Sequence, residues 1–197
     1  MLKRIFDILL AGIGILLLLP LFLVVIVWIK ADSKGSAFYR QLRVGQFGKD
    51  FSLLKFRSMR IGSDKAGLLT IGGRDPRVTR SGVFIRKYKI DELPQLINVF
   101  LGHMSLVGPR PEVRKYVDLY NETQQRVLLV KPGITDLASL EYFDENDLLA
   151  KSEHPEKTYV EVVMPHKLEL NLQYIDQSGL LGDVRIILRT IKRVVFR

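Results

Sequence analysis

Ile8 to Ile29 is a run of 22 residues without a charge, most of them Leu, Ile or Val. As a helix it is long enough to cross a bilayer core, which takes roughly 20 residues. Pro20 stands in the middle of the run. Inside a helix it removes one backbone hydrogen bond and clashes with the preceding turn. Basic residues flank both ends, Lys3 and Arg4 before the run and Lys30, Lys34, Arg40 and Arg43 after it. Loop charge alone therefore assigns neither orientation. Two arrangements satisfy the pattern: a single-pass helix kinked at the proline, and a helix bent at Pro20 that enters and leaves the same leaflet. A crossing helix would carry Lys3 and Arg4 to the far side, against the positive-inside bias. The expectation is thus a re-entrant segment over residues 1–33. A signal peptide fits less well, because the run exceeds a usual apolar core and Trp28-Ile29-Lys30 offers no small-residue cleavage site.

The remainder of the 197-residue chain is long enough for one integrated domain with a sizeable core. A hydrophobic fraction of 47% excludes a disordered chain. The absence of cysteine excludes a disulfide framework, a thiolate zinc site and a cysteine nucleophile. The net charge of +9 is unevenly spread. Residues 1–115 hold 20 basic and 8 acidic groups, 116–179 hold 5 and 12, and 180–197 hold 5 and 1. The basic half calls for a polyanion: nucleic acid, a phosphorylated substrate or anionic headgroups. Few aromatics interleave its cations and no nucleic-acid motif is present, so nucleic acid is not the expected partner.

Apolar positions Val184, Ile187, Leu188, Ile191 and Val195 recur at helical spacing near the C-terminus, with Arg185, Arg189, Lys192 and Arg193 on the other face. Residues 180–197 read either as a basic interfacial helix or as a core-facing helix with a solvated side. Between the two apolar ends, residues 34–179 form the expected cytoplasmic portion. Ala37–Met59 reads as two strands around Gly45-Gln46-Phe47-Gly48, with Lys55 and Arg57 on one strand face. Residues 61–76 read as a mobile loop. Helical spacing resumes after Pro111, Lys131-Pro132-Gly133 reads as a turn, and a further helix is expected after Pro165. The expected fold class is α/β in the broad α+β sense, mostly helical with a small β-hairpin. Asp144-Glu145-Asn146-Asp147 lacks the spacing of a calcium loop and reads as a solvated helix start.

Chemistry concentrates in Arg86-Lys87-Tyr88-Lys89-Ile90-Asp91-Glu92-Leu93-Pro94-Gln95-Leu96 and in Met104-Ser105-Leu106-Val107-Gly108-Pro109-Arg110-Pro111. Pro94 suits a first helical turn, which puts Asp91 and Glu92 at a helix N-terminus. On spacing alone they are a cap and a first-turn acid. Pro109 and Pro111 stiffen the presentation of one guanidinium, Arg110, a geometry suited to bidentate phosphate binding. Adjacent carboxylates beside arginines point further, to Mg²⁺ held together with phosphate oxygens.

With these segments the chain resembles the bacterial sugar transferase family, the monotopic phosphoglycosyl transferases. The likeness runs in order through Lys3-Arg4-x-x-Asp7, Gln41-x-Arg43-x-Gly45, Lys55-Phe56-Arg57-Ser58-Met59 and Asp75-Pro76-Arg77-x-Thr79-Arg80. It continues through Asp91-Glu92-Leu93-Pro94-Gln95-Leu96-x-Asn98-Val99, the Met104–Pro111 segment and Lys131-Pro132-Gly133-Ile134-Thr135. The length is that of small members made of the catalytic portion alone. The resemblance implies transfer of a sugar 1-phosphate from a UDP-sugar to a polyprenol phosphate such as undecaprenyl phosphate, with release of UMP, at the cytoplasmic face of the bacterial inner membrane. It implies Asp91 and Glu92 as the catalytic pair with Mg²⁺, and a membrane bend at Pro20. Arg86 and Arg110 are the first expected phosphate contacts, with Lys55, Arg57 and Arg43 behind them. A homodimer is compatible with this reading, and a non-catalytic basic adaptor on anionic lipid is the alternative. The chain departs from the family at His103, where Asp is frequent, at Asp136-Leu137-Ala138-Ser139, where Gly-Leu-Ala-Gln is common, and at Leu19, where Ser often precedes the proline. The first two departures are expected to bear on the sugar.

Overall fold

The computed structural model describes residues 1–63, 75–177 and 179–196. The chain is mostly helical with two small two-stranded sheets. Helix α1 runs Leu2–Asp32 with Pro20 inside it. Strands β1, Phe38–Val44, and β2, Asp50–Phe56, form the expected antiparallel hairpin, closed by a short 3₁₀ turn at Gln46–Gly48. Helix α2 is Arg80–Lys87, capped by the Thr79 hydroxyl accepting from Gly82 N–H. A 3₁₀ turn at Ile90–Glu92 leads into α3, Gln95–Leu101, and then into β3, Ser105–Val107. Helices α4, Arg114–Val117, and α5, Glu122–Gln125, precede β4, Gly133–Thr135. Helices α6, Leu137–Glu141, α7, Glu145–Ala150, and α8, Pro155–Thr158, lead to α9, Met164–Gln177, and α10, Leu180–Val195.

Helix α1 is the spine of the molecule. Asp7, Ala11, Phe22, Val25 and Ile29 are buried, Gly14 faces Leu96 on α3, and Leu18 joins the cluster around Phe22. At 100° per residue these positions, with Asp32, make one narrow stripe along the helix. The stripe is fastened by polar contacts at both ends. Lys3 donates to the Val107 carbonyl (3.0 Å) and pairs with buried Asp183 on α10. Arg4 caps the C-terminus of α3 through the carbonyls of Val99 (2.6 Å) and Phe100 (3.0 Å). Asp7 accepts from Leu106 N–H at 3.0 Å, and Asp32 accepts from Ser81 on α2 at 2.8–2.9 Å. The two N-terminal cations are thus joined to the protein body. The opposite face of α1 is bare hydrocarbon: Leu9, Leu16, Leu17, Leu23, Val24 and Val27 are all more than half exposed. Pro20 is exposed too. A proline on the outer side pushes the carbonyl one turn back outward, the sense of curvature that wraps a helix round what it packs on.

Three sequence expectations change in the structure. Lys131-Pro132-Gly133 leads straight into β4, which pairs in parallel with β3. The two chains approach so closely that a Cβ at Gly133 would collide with the backbone nitrogen of Gly108. Pro111 does not open a helix; the chain stays extended to Val113, the N-cap of α4, because the Pro111 carbonyl is held by Arg43 at 3.1 Å. Nor does Pro165 start a helix. Residues 155–177 are continuously helical, with a π-turn at Tyr159–Val163 in which Met164 N–H reaches the Tyr159 carbonyl. The wider register just before Pro165 accommodates the missing N–H. Most of the stretch expected as a mobile loop, residues 64–74, lies outside the described residues.

Buried Asn98 fastens α3 to the hairpin. Its Oδ1 accepts from Leu54 N–H (2.9 Å) and its Nδ2 donates to the Ser52 carbonyl (2.8 Å). We expect Asn98→Ala to leave both strand groups unpaired and to lower stability by about 2–3 kcal/mol, measured by thermal unfolding in detergent micelles. A change below about 0.5 kcal/mol would show that the strand does not depend on this side chain.

Candidate active site

Asp91 and Glu92 lie on the 3₁₀ turn that opens the α3 segment, and they share a cavity of about 1160 Å³ with Lys55, Arg86 and Arg110. Adjacent in sequence, the two carboxylates have opposite surroundings. Glu92 is engaged on both oxygens: Arg110 pairs with it in two-pronged fashion (the Nη1–Oε2 arm at 3.1 Å), and Lys55 on β2 approaches at 3.4 Å. Burial alone would push the Glu92 carboxyl up, but the guanidinium of Arg110 and the ammonium of Lys55 outweigh it and hold the group well below its ordinary range. Asp91 is also buried, yet its Oδ1 has no hydrogen-bond partner among the described residues. Burial, reinforced by the neighbouring Glu92 charge, pushes its pKa up, with Lys55, Arg86 and Lys89 only partly opposing the shift. The arrangement leaves one clamped anion and one unsatisfied carboxyl.

Burial depresses the Lys55 ammonium, with Glu92 as the main counterweight, while the Glu92 charge keeps Arg110 firmly protonated. Arg110 sits at the C-terminal end of the β3–β4 pair, where its backbone N–H donates to Asp136 Oδ2 at 3.0 Å. Asp136 caps α6 through Ser139 N–H with its other oxygen. One of the two departures expected to bear on the sugar therefore lies directly beneath Arg110. The other, His103, packs near Phe51 and does not line the cavity.

The remaining expected site residues divide. Arg86, in the last turn of α2, lines the cavity and makes no ion pair among the described residues. Arg43 and Arg57 also line it, but their guanidinium groups are engaged. Arg43 braces the Pro109-Arg110-Pro111 turn through the Pro111 carbonyl and Glu112 (2.9 Å). Arg57 falls beyond the end of β2, so it does not share a strand face with Lys55; it binds the Ser33 carbonyl at 2.7 Å and the Lys34 carbonyl, closing the C-terminus of α1.

Several residues escape a reading by sequence. Glu112 is half-buried between Arg43, the Tyr159 hydroxyl and its own neighbour's N–H; desolvation would raise it, but Arg43 and Lys167 bring it below its usual range. Lys167 pairs with Glu145 at 2.7 Å in the same wall. Lys89 adopts a left-handed backbone (φ 56°) immediately before the 3₁₀ turn, a conformation that costs a non-glycine residue about 1 kcal/mol or more. Only Asp136 and Lys89 had a local signal, as a departure from the family pattern and as one of three cations before the acid pair.

With this geometry in place, comparison with known proteins is decisive. The model of the family described as bacterial sugar transferase matches residues 1–197. The chain belongs to that family. It is 39% identical over 198 residues to a UDP-glucose:undecaprenyl-phosphate glucose-1-phosphate transferase of Xanthomonas campestris pv. campestris, with 98% of this chain and 38% of that protein covered. It is 39% identical over 199 residues to a UDP-N-acetylgalactosamine-undecaprenyl-phosphate N-acetylgalactosaminephosphotransferase of Aeromonas hydrophila, covering 98% and 43%. The exopolysaccharide production protein ExoY of Rhizobium meliloti is 34% identical over 209 residues, covering 98% and 85%. The chain therefore spans about two-fifths of the length of the first two of these relatives.

The unlike surroundings of the two carboxylates give opposite stability effects. A raised folded-state pKa at Asp91 means its stabilising contribution is full below the ordinary carboxylate range and is lost as pH rises through the raised value. Asp91→Asn should therefore raise the Tm at neutral pH, by an amount that shrinks toward pH 4. Glu92→Gln should instead lower stability by about 2–3 kcal/mol, because it strands the Arg110 charge. Thermal unfolding of the variants between pH 4 and 8 checks both, and a destabilised Asp91→Asn at neutral pH would contradict the assignment.

Proposed function

We propose that this chain transfers a sugar 1-phosphate from a UDP-sugar to a polyprenol phosphate at the cytoplasmic face of the bacterial membrane, releasing UMP. The observation that carries the reading is the buried Asp91 carboxyl with an unpartnered oxygen beside a Glu92 already neutralised by Arg110 and Lys55. The relatives' substrates and their named activity support it, and they favour a transferase over a non-catalytic adaptor. The name of the exopolysaccharide relative supports placing the reaction in polysaccharide assembly, where we read it as the first membrane step.

In the first half-reaction an Asp91 oxygen attacks the β-phosphorus of the sugar nucleotide. A P–O bond to the carboxylate forms, the bond from that phosphorus to the bridging oxygen breaks, and UMP leaves with the electron pair. In the second, an oxygen of the polyprenol phosphate attacks the same phosphorus and frees the carboxylate. Arg110 and Arg86 hold diphosphate oxygens, and Glu92 keeps Arg110 and Lys55 in position. Among the described residues no group of three or more acids or histidines could hold a metal. Mg²⁺ nevertheless fits the free Asp91 oxygen, because it is ordinarily held by one or two carboxylates together with substrate phosphates. Bound there it would neutralise charge on the diphosphate.

Seating on one side of the membrane is part of the proposal. Helix α1 is about 46 Å long, more than a bilayer core needs. Its inner stripe nevertheless packs on the same protein body from Lys3 to Asp32. A crossing helix would have to release one half of those contacts. A re-entrant seating keeps them and presents the aliphatic outer face, the exposed apolar positions of α10 and the Trp28–Phe84–Tyr88 aromatic row to lipid.

Purified protein in detergent, supplied with undecaprenyl phosphate and Mg²⁺, should release UMP from at least one of UDP-glucose, UDP-galactose, UDP-N-acetylglucosamine and UDP-N-acetylgalactosamine. Asp91→Asn should reduce that rate at least roughly a thousandfold. No UMP from any of the four would refute the reaction class. For topology, Leu2→Cys introduces the sole thiol in a cysteine-free chain. An impermeant thiol reagent should leave it unlabelled in intact spheroplasts and label it after permeabilisation; labelling from outside would mean that the helix crosses.

A further inference from the structure

The active-site cavity has two unlike sides. Around Asp91 it is lined by cations, whereas Ile134, Leu140, Ile191, Val194 and Val195 give it an apolar wall, three of these coming from α10. Helix α10 also carries a row of exposed apolar residues and the basic side chains of an interfacial helix. The cavity thus leads from a lipid-facing helix to a buried carboxyl, a shape and polarity suited to an amphiphile with an apolar chain and an anionic head.

Phe143 stands where the two sides meet. Lys89 Nζ lies over its ring at 5.3 Å from the centroid, and Arg193 Cζ of α10 at 5.2 Å. Two cations are therefore no farther apart than the sum of those distances. Among the described residues the Lys89 side chain makes no ion pair or hydrogen bond, its charge acting on Asp91 and Glu92 at longer range, and Arg193 pairs with exposed Asp144 at 3.4 Å. Lys89 is held there by a left-handed backbone that its side chain does not favour. Aromatic attraction steadies each cation against one ring and leaves its N–H donors able to take an anion.

We propose that Lys89, Phe143 and Arg193 seat the phosphate of the lipid acceptor, a phosphate monoester on an isoprenoid chain that enters alongside α10. The proposal rests on the transferase reading above. A phosphate placed there pairs with a cation from the interfacial helix and with one two residues before Asp91. Its chain lies along Ile191, Val194 and Val195. Phe143 and Lys89 are positioning groups for the acceptor.

The test uses full-length wild type, Lys89→Gln, Arg193→Gln, the double variant and Phe143→Leu, reconstituted into phosphatidylcholine vesicles. Undecaprenyl phosphate and the UDP-sugar are varied separately. Each single cation variant should raise KM for undecaprenyl phosphate at least fivefold and the double variant further, with KM for the UDP-sugar changing less than twofold. Phe143→Leu should act in the same direction. Equal shifts in both KM values, or none, would overturn the seat. So would a contrast that appears only when phosphatidylglycerol is added, which would mean that the cations hold bulk anionic headgroups. Equilibrium binding of radiolabelled undecaprenyl phosphate to wild type and Arg193→Gln separates the two claims. Weaker binding by the variant sustains the seat even if no UDP-sugar yields UMP, and equal binding removes it even if turnover is normal.

Discussion

The pairing of Glu92 with Arg110 and Lys55 sets the character of the site. Two adjacent carboxylates, one buried and one half-buried, repel each other, and the fold resolves the conflict by giving all of the nearest counter-charge to one of them. Breaking such a pair from one side is far more damaging than never having built it. Everything around the pair serves to hold it. Asp136 fixes the Arg110 backbone, Arg43 braces the flanking prolines, and Asn98 fixes the hairpin that delivers Lys55. Asp91 is left with the opposite condition, buried and unsatisfied. Unsatisfied buried polar atoms are rare because they destabilise the fold, so one next to a phosphate-sized cluster of cations marks where chemistry is done.

The apolar helix and the site are one construction. The inner stripe of α1 supplies core residues to the clusters that carry β2, α3 and β3. Arg4 closes the helix that begins at the acid pair, and Arg57, from the strand end, closes α1 in return. The distance between the exposed apolar face of α1 and Asp91 is thereby fixed by packing. In the proposed reaction a lipid-borne phosphate and a water-borne nucleotide meet at one carboxyl, which requires that distance to be fixed.

Much of this was legible locally. The hairpin follows from a glycine-bounded turn between short apolar runs, and α10 from its periodicity. The acid pair at the opening of α3 follows from Pro94. What the sequence could not convey was long-range partnership. Arg43 and Arg57 look like Arg86 in composition and neighbourhood, yet their guanidinium groups are taken by Glu112 and by Ser33, contacts that depend on the folded path. The parallel β3–β4 pair is three residues a side, too short for any periodicity, and its glycines read as turns although they permit close approach of two strands. Pro165 misled because a π-turn one step earlier accommodates it. Lys89 looked like one cation among three until its backbone placed it over Phe143.

In the proposed reaction the two neighbouring carboxylates have different tasks, Asp91 reacting and Glu92 holding its cations. Trapping the enzyme with the competent UDP-sugar and Mg²⁺, without lipid acceptor, and mapping the product by peptide mass spectrometry tests this most directly. One added phosphosugar mass is expected, localised to Asp91, absent in Asp91→Asn and still formed, more slowly, in Glu92→Gln. An adduct on Glu92, or UMP release that occurs only when the acceptor lipid is present, would contradict it.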